Sequence, residues 1–159
     1  MKRKEKVRVG WRELIDLPDW GIKGVRAKID TGAKSSALHV EDVKELPHNQ
    51  IEFHVVLNEL KVRKKIVTKI LKKAHVKSSS GVKTSRWYVE TKLRMGKETR
   101  KVHVNLVSRE EMSFRMLIGR SALKDKFLVD VSRSFLLERT KNKERRQSKN
   151  ENCDFIQEL

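Results

Sequence analysis

The chain has 159 residues and carries 38 Lys and Arg against 21 Asp and Glu, which gives a formal net charge of +17 at pH 7. A chain of this length can bury about two-thirds of its unfolded surface around one core, so no disulfide staple is required, and the single cysteine, Cys153, agrees. No apolar run approaches the roughly 18 residues of a membrane span, so the composition argues against membrane insertion and secretion and predicts a cytoplasmic protein.

Most of the positive charge lies outside the polar C-terminal part of the chain. Residues 139–159 hold six basic and four acidic side chains and lack a core pattern, which predicts a disordered tail. Residues 1–8 are read as a basic N-terminal arm, and residues 9–138 are predicted to form one domain. The excess charge therefore belongs mainly to the folded part, where it would attract polyanions such as nucleic acid, the ribosome or an acidic peptide.

Alternation of apolar and polar residues predicts strands along most of the domain. Val25, Ala27 and Ile29 share one face of a half-buried strand. A hairpin is predicted where two alternating runs flank the turn signal Gly96-Lys97. The predicted strands after residue 50 are 51–57, 87–95, 102–106, 116–118, 128–129 and 134–137, with a short helix within 121–126. Short strands separated by turns, with little helix, predict a small all-β barrel.

The segment 61–77 is strongly basic and fits two structures about equally well. It contains eight Lys and Arg and no acidic residue. Ile66, Ile70 and Ala74 recur at helical spacing and predict a basic amphipathic helix. The high content of β-branched residues instead favours strands.

The motif Asp30-Thr31-Gly32-Ala33 stands at the end of the predicted strand 25–29. A carboxylate at such a junction is held rigidly, a neighbouring hydroxyl can lock the loop, and a glycine allows close approach of a backbone N–H. An aspartic protease needs this geometry. Asp, Thr and Gly are also ordinary turn residues, so the triplet alone fits a plain turn equally well.

A second element, FRMLIGR at 114–120, runs an apolar strand into Gly-Arg. Retroviral-type aspartic proteases, the retropepsins, carry both parts in this order. The chain resembles one bacterial family more closely, the retropepsin-like aspartic endopeptidases, which are often labelled ATP-dependent zinc proteases and accompany ATP-grasp ligases that add glutamates to a ribosomal protein. The similarity lies in VGWRE (9–13), LP (17–18), AKIDTGAKSSALH (27–39), FRMLIGRSAL (114–123) and FLVDVSRSFLL (127–137).

The resemblance implies a small closed retropepsin-like barrel with one short helix, and it favours strands at 61–77. It makes Asp30 the catalytic aspartate, Thr31 the hydroxyl that braces the active-site loops, and Gly32 and Ala33 the backbone of close approach. The loop Ser79-Ser80-Gly81 takes the place of the retropepsin flap, although it is poorer in glycine than usual. The implied structural supports are Ile118, Gly119 and Arg120, with Asp130 as the ionic partner of Arg120.

Aspartic proteolysis uses two carboxylates that share one proton, because like charges at such short range cannot both ionise. This chain has one Asp-Thr-Gly motif. A homodimer could contribute one Asp30 from each chain, a second carboxylate such as Asp130 could come from the same chain, or the protein could lack catalysis. We favour the homodimer, because retropepsins use a two-fold interface and two-fold dimers are the commonest assembly.

The family label of zinc and ATP finds no support in the residues. There is no His-Glu-x-x-His run, and the five histidines are scattered along the chain. The run Gly21-Ile22-Lys23-Gly24 lacks the Walker pattern of a phosphate-binding loop. We therefore predict no metal and no cofactor.

The cations and the motif together predict an acidic protein substrate, with Lys34 and the lysines of 61–77 as candidate contacts. The resemblance implies that this substrate is a glutamylated protein. Two other functions stay open. A non-catalytic nucleic-acid or ribosome-binding module explains the charge directly, although aromatic residues make up only 6% of the chain. A retropepsin-like adaptor of a glutamate ligase would carry the same motif without cleaving.

Overall fold

The computed structural model describes residues 4–57, 63–77, 81–108 and 113–138, with the side chains of residues 76 and 77 excepted. Strands make up most of this part, together with a 3-10 turn at Pro18–Trp20, a helical turn, α1, at Arg120–Leu123, and helical residues at 136–138. The strands are β1 (Val7–Gly10), β2 (Arg12–Leu17), β3 (Ile22–Ile29), β4 (Ser36–Leu46), β5 (Gln50–Val56), β6 (Arg63–Lys69), β7 (Lys72–Lys77), β8 (Lys83–Met95), β9 (Glu98–Val107), β10 (Met116–Ile118) and β11 (Phe127–Asp130). No helix in these ranges is long and apolar enough to cross a membrane.

The short strand β10 closes the barrel. It pairs in parallel with β3 and antiparallel with β4, so the described strands run in the closed order β10-β3-β2-β8-β9-β4. The predicted small all-β barrel is confirmed. The predicted short helix is the single turn α1, while the 3-10 turn was not predicted and begins at Pro18, a residue that suits the first position of a helical turn.

Alternation along the strands decides which side chains fill the barrel. In β3, Val25, Ala27 and Ile29 are buried, whereas Arg26 and Lys28 are exposed, as the sequence predicts. At one end of the core, Trp20 packs edge-on against Phe53, with 5.5 Å between the ring centroids. Such contacts remove apolar surface from water and supply the main free energy that holds the barrel together.

The basic segment 61–77 contains two strands. β6 pairs with β5, and β7 pairs with β8. The chain changes partner at Ile70 and Leu71, whose backbone N–H groups donate to the carbonyls of Asn49 and Tyr88. A helix would have needed a continuous apolar face, but Val67 is 48% exposed and Leu71 is 44% exposed. Among the side chains described in this segment, only Ile66 is fully part of the core.

Several cations of this segment are neutralised by acids from other strands. Arg63 pairs with Glu41 and Asp42, Lys65 pairs with Glu52, and Lys73 pairs with Glu45. Glu45 also accepts a hydrogen bond from the Trp87 indole N–H at 2.7 Å. This bond, followed by the hydrogen bond and charge of Lys73, holds the pKa of Glu45 below its usual value of 4.5.

The lowered pKa of Glu45 predicts a small stability change with pH. The carboxylate stabilises the fold above the unfolded-state pKa, and this contribution is lost as the pH falls through the folded-state value. We expect Glu45→Gln to be less stable than the wild type at pH 7 and nearly equal to it at pH 2. Urea unfolding followed by tryptophan fluorescence measures both differences, and Glu5→Gln serves as the control at an exposed carboxylate. A Glu45→Gln deficit that did not shrink on acidification would contradict the assignment.

The N-terminal and C-terminal parts of the domain are joined by β1 and β11, which form a parallel pair with Val7 opposite Phe127. β1 begins inside the predicted N-terminal arm, and the predicted tail from residue 139 onward lies outside the described residues. The prediction of a strand at 134–137 is wrong. Phe135 has a positive φ of 53°, and its N–H donates to the carbonyl of Arg12.

Glu13 explains why residues 134–137 turn instead of extending. Its carboxylate is fully buried, and Oε1 accepts hydrogen bonds from the N–H groups of Gly10, Leu136 and Leu137 at 3.1, 2.7 and 3.4 Å. One buried oxygen thus gathers backbone donors from both ends of the domain. Such charge-assisted bonds are stronger than neutral ones.

Candidate active site

Asp30 lies immediately after β3, at the position predicted for it. Its backbone N–H donates to the carbonyl of Ile118 in the neighbouring strand β10 at 2.9 Å. The preceding residue, Ile29, donates to the carbonyl of Trp11 on the other side at 2.8 Å. The aspartate is therefore anchored between two strands, which fixes the direction in which its carboxylate points.

The motif itself forms a tight turn. The Gly32 N–H donates to Asp30 Oδ1 at 3.0 Å, and the Ala33 N–H reaches the Asp30 carbonyl at 3.3 Å. A Cβ on residue 32 would lie 3.2 Å from Asp30 Oδ1, so glycine allows the close approach that the sequence predicted. Asp30 is half-buried, while Thr31 and Gly32 are exposed, so the carboxylate opens towards the surface.

The start of α1 holds the Asp30 turn in place through hydrogen bonds. The N–H groups of Arg120 and Ser121 donate to the carbonyls of Ala33 and Lys34 at 2.8 and 3.0 Å. The guanidinium of Arg120 donates to the Thr31 carbonyl at 3.0 Å. These contacts support Ala33 and Lys34 as part of the loop, and they make Ile118 and Arg120 its structural base.

The expected ionic pair between Arg120 and Asp130 is wrong. Arg120 binds a backbone carbonyl of the motif, whereas Asp130 Oδ1 accepts hydrogen bonds from the hydroxyl and N–H of Ser132 at 2.6 and 3.0 Å. These two bonds, the hydroxyl first, lower the pKa of Asp130. The cation stabilises the Asp30 turn directly, because the Thr31 carbonyl lies nearer to it than the Asp130 carboxylate does.

Gly119 and Ser36 form a close contact that supports the same loop. The Gly119 N–H donates to Ser36 Oγ at 3.1 Å, and both residues are buried. A Cβ on residue 119 would meet the Ser35 carbonyl oxygen at 2.5 Å. The sequence indicated Gly119 but not Ser36. A serine among alternating strand residues on a buried face was the available signal.

We expect Gly119→Ala to destabilise the domain by about 1–3 kcal/mol and to impair any chemistry at Asp30, because the new methyl group collides with the backbone of the loop. Thermal unfolding followed by circular dichroism measures the loss. Ser121→Ala is the control, because this side chain is exposed and such changes stay within about 0.5 kcal/mol. Equal stability of the two variants would show that the contact is looser than the backbone positions imply.

Lys34 is exposed beside the motif, as a substrate contact requires. Of the predicted flap, Ser79 and Ser80 lie outside the described residues. Gly81 lies between β7 and β8 with a φ of +83°, and it makes no hydrogen bond to the Asp30 turn in the described part of the chain. The flap assignment therefore stays a prediction.

Other polar groups lie away from Asp30. A cleft of about 600 Å³ is lined by His39, Glu41, Asp42, Val56, Arg63, Ser108 and Arg115, and Asp30 does not contribute to it. His39 is buried, with Nε2 3.7 Å from Glu41 Oε1. Among the residues that the structure describes, no three His, Cys, Asp or Glu side chains are grouped as a metal site.

A family model described as RimB-like, retropepsin-like aspartic endopeptidase RimB, matches residues 8–140. The chain belongs to the RimB-like family. This match confirms the resemblance to retropepsin-like endopeptidases and agrees with the closed barrel and with the strand that ends at Asp30.

The chain is also similar to part of longer proteins. The chain is 30% identical over 134 residues to a probable alpha-L-glutamate ligase of Shewanella pealeana. The aligned region covers 81% of this chain and 29% of that protein. A protein of the same name from Desulfotalea psychrophila is 28% identical over 127 residues. The chain thus spans less than a third of the length of these curated relatives, whose names agree with the association with glutamate ligases.

A solved structure shares the fold. The crystal structure of Lpg0085, a protein of unknown function (DUF785) from Legionella pneumophila, matches with a TM-score of 0.70 and 25% sequence identity. The match covers 84% of this chain and 99% of that chain. The RimB-like domain is therefore similar to a barrel of nearly equal extent.

Proposed function

We propose that the protein is an aspartic endopeptidase that acts as a homodimer on acidic or glutamylated protein substrates. One observation carries the proposal: the Asp30 carboxylate is half-buried at the end of a barrel strand, on a turn that Ile118 and Arg120 hold in place and that leaves Thr31 and Gly32 exposed. A rigid, accessible carboxylate flanked by an exposed backbone is what a water-activating aspartate requires.

The second carboxylate is proposed to come from another copy of the chain. Asp130, the candidate within the chain, is bonded to Ser132 and belongs to β11, which pairs with β1. Those two strands pair only with each other in the described structure, so each keeps an open edge, and Leu128 and Val131 are 56% and 79% exposed nearby. Open edges with exposed apolar side chains suit a two-fold interface that brings the two Asp30 turns together.

The chemistry follows from the shared proton. The ionised Asp30 takes a proton from a water molecule held between the two carboxyl groups, and the water oxygen attacks the peptide carbonyl carbon. The Asp30 of the other copy, which carries the shared proton, donates its hydrogen bond to the carbonyl oxygen and stabilises the tetrahedral intermediate. The proton that the first Asp30 took from water then passes to the leaving nitrogen as the C–N bond breaks. The Gly32 N–H, which bonds Asp30 Oδ1, keeps the carboxylate oriented during these steps.

The substrate class is argued from charge and from the relatives. Lys34 is exposed next to the motif, and a cation beside a pair of carboxylates offsets their repulsion of an acidic chain. The relatives named probable alpha-L-glutamate ligase fit a substrate that carries added glutamates. Acidic segments are therefore the first substrates to test.

The test incubates the wild-type protein with a glutamate-rich peptide and with a glutamine-rich peptide of the same length, and mass spectrometry detects the products. We expect faster cleavage of the glutamate-rich peptide and a specific activity that rises with protein concentration as dimers form. Sedimentation equilibrium on the same samples gives the mass. Activity that persists in a strictly monomeric sample would remove the dimer from the proposal.

A second candidate is a non-cleaving adaptor of a glutamate ligase. The similarity to probable ligases favours this function, because the chain matches only 29% of the length of such a ligase and so corresponds to one part of a longer protein. This function predicts stable binding to a ligase without cleavage of any peptide. Co-sedimentation with a ligase together with intact peptides would favour it over the endopeptidase.

A further inference from the structure

The outer face of β2, β3 and β10 carries exposed cations and aromatic rings that the proposed chemistry does not use. In register, Arg12 of β2 lies opposite Lys28 of β3, and Leu14 lies opposite Arg26. Both β3 cations point away from the core, because Ala27 between them is fully buried. Phe114 and Arg115 directly precede β10, whose Met116 pairs with Ala27. We define the outer basic face as Trp11, Arg12, Arg26, Lys28 and Phe114; Arg115 instead lines the cleft with Glu41 and Asp42.

The arginines of this face lie against aromatic rings. The guanidinium carbon of Arg12 is 4.7 Å from the centroid of Trp11 and 5.0 Å from that of Phe135, and that of Arg26 is 5.7 Å from the centroid of Phe114. Trp11 and Phe114 in turn pack edge-on with centroids 5.8 Å apart. These rings are only partly buried. Packing against a ring preorganises a guanidinium, so it loses less side-chain entropy on binding.

The charge of this face is not neutralised within the described structure. Arg12 donates to the Ser134 hydroxyl, and no carboxylate of a described residue pairs with Arg12, Arg26 or Lys28. In the 61–77 segment, by contrast, Arg63, Lys65 and Lys73 each have an acidic partner. The cations of the outer basic face are therefore free to attract a polyanion, whereas those of the segment are partly neutralised.

We infer that the outer basic face binds single-stranded RNA. Single strands expose flat bases, which stack on aromatic side chains and on guanidinium planes, and phosphates, which bind Arg and Lys. The face offers both kinds of group side by side on one sheet surface. An acidic protein would use the cations but would leave the aromatic rings without a matching group. None of these side chains bonds to the Asp30 turn in the described part of the chain, so the inference does not depend on peptidase activity.

The experiment measures fluorescence anisotropy of a labelled 20-nucleotide oligouridylate as the full-length chain is added. At low salt, about 50 mM, we expect saturable binding with a Kd below about 10 µM. Arg26→Glu with Lys28→Glu is expected to weaken binding by at least about tenfold. The same variant should reduce the slope of log K against log salt by about 1.4, since each phosphate contact on a single strand contributes about 0.7.

A matched double variant controls for overall charge. Lys69→Glu with Lys83→Glu makes the same charge change on exposed side chains of β6 and β8, and it should weaken binding less than about threefold. Asp30→Asn should bind RNA as the wild type does, whatever its effect on peptides. Equal weakening by the two double variants, or no saturation for the wild type up to about 100 µM protein, would overturn the inference.

Phe114→Leu tests stacking, because it keeps an apolar side chain and removes the ring. Weaker RNA binding by this variant supports the proposal. If the variant binds RNA as the wild type does, and polyglutamate displaces the RNA at equal charge concentration, the face recognises charge alone. That result would replace RNA by an acidic protein as the partner.

Discussion

Asp30→Asn is expected to lose peptide cleavage by about 10³-fold or more, because an amide cannot take a proton from water. The asparagine oxygen can still accept the Gly32 N–H, and the backbone bond to Ile118 does not involve the side chain. The turn should therefore keep its shape, and the loss should appear in kcat with little change in KM. Initial rates on the glutamate-rich peptide, with circular dichroism as a check of folding, measure both.

Asp130→Asn is the matched control for this prediction. It makes the same chemical change in the carboxylate that binds Ser132, and we expect its rate to stay within about threefold of the wild type, since a residue outside the reacting groups contributes little to the barrier. If Asp30→Asn cleaves at the wild-type rate, Asp30 has no part in the mechanism. If Asp130→Asn is the inactive variant, the second carboxylate comes from the same chain.

Glu13→Ala is expected to destabilise the domain by about 3 kcal/mol or more. Three backbone N–H groups, of Gly10, Leu136 and Leu137, would lose their acceptor in buried or partly buried positions, and each such loss costs about 1–3 kcal/mol. For a domain of this size, the melting temperature should fall by roughly 6–12 °C. Thermal unfolding and urea unfolding measure the change.

Glu13→Gln separates the hydrogen bonds from the negative charge. The amide oxygen can replace Oε1 as the acceptor, so this variant should lose much less stability than the alanine variant. A loss for Glu13→Ala below about 1 kcal/mol would show that water satisfies the three N–H groups after the side chain is removed. Equal losses for both variants would instead assign the effect to the charge.

The sequence predicted the strands with regular alternation and missed those where the alternation is broken. β3, β8 and β9 were found because apolar residues recur at every second position. β4 was missed, because its core positions include the polar residues Ser36 and His39, and a register shift between Glu41 and Lys44 moves the alternation by one residue. A bulge of this kind depends on the neighbouring strand, so local pattern cannot reveal it.

For the candidate site, the motif around Asp30 and the strand that supports it were identified from their residue types and order. The partner of Arg120 was not identified, because a guanidinium can bind a backbone carbonyl as well as a carboxylate. In the fold, the Thr31 carbonyl lies nearer to Arg120 than Asp130 does. Glu13 belongs to the VGWRE motif at 9–13, but its role as a buried acceptor of backbone hydrogen bonds was not predicted. The signal was present, since Glu13 occupies the same inward phase of β2 as Ile15 and Leu17.

The partial neutralisation of the segment 61–77 could not be read from the sequence for a related reason. The acids that neutralise it, Glu41, Asp42, Glu45 and Glu52, lie ten or more residues earlier and meet it only through β-sheet pairing. The cations near Trp11 and Phe114 are fewer and more scattered in sequence. They form one surface because β2, β3 and β10 are neighbours in the barrel.

The parallel pair of β1 and β11 has a consequence for how the chain folds. Residues 7–10 must wait for residues 127–130 before they can pair, and the barrel itself closes only when β10 reaches β3 and β4. Closing such long loops costs chain entropy before any contact is gained, so folding should be slow for a chain of this size. On the ribosome, β1 would remain unpaired until nearly the whole domain had been synthesised, which leaves its open edge exposed to other partners during that time.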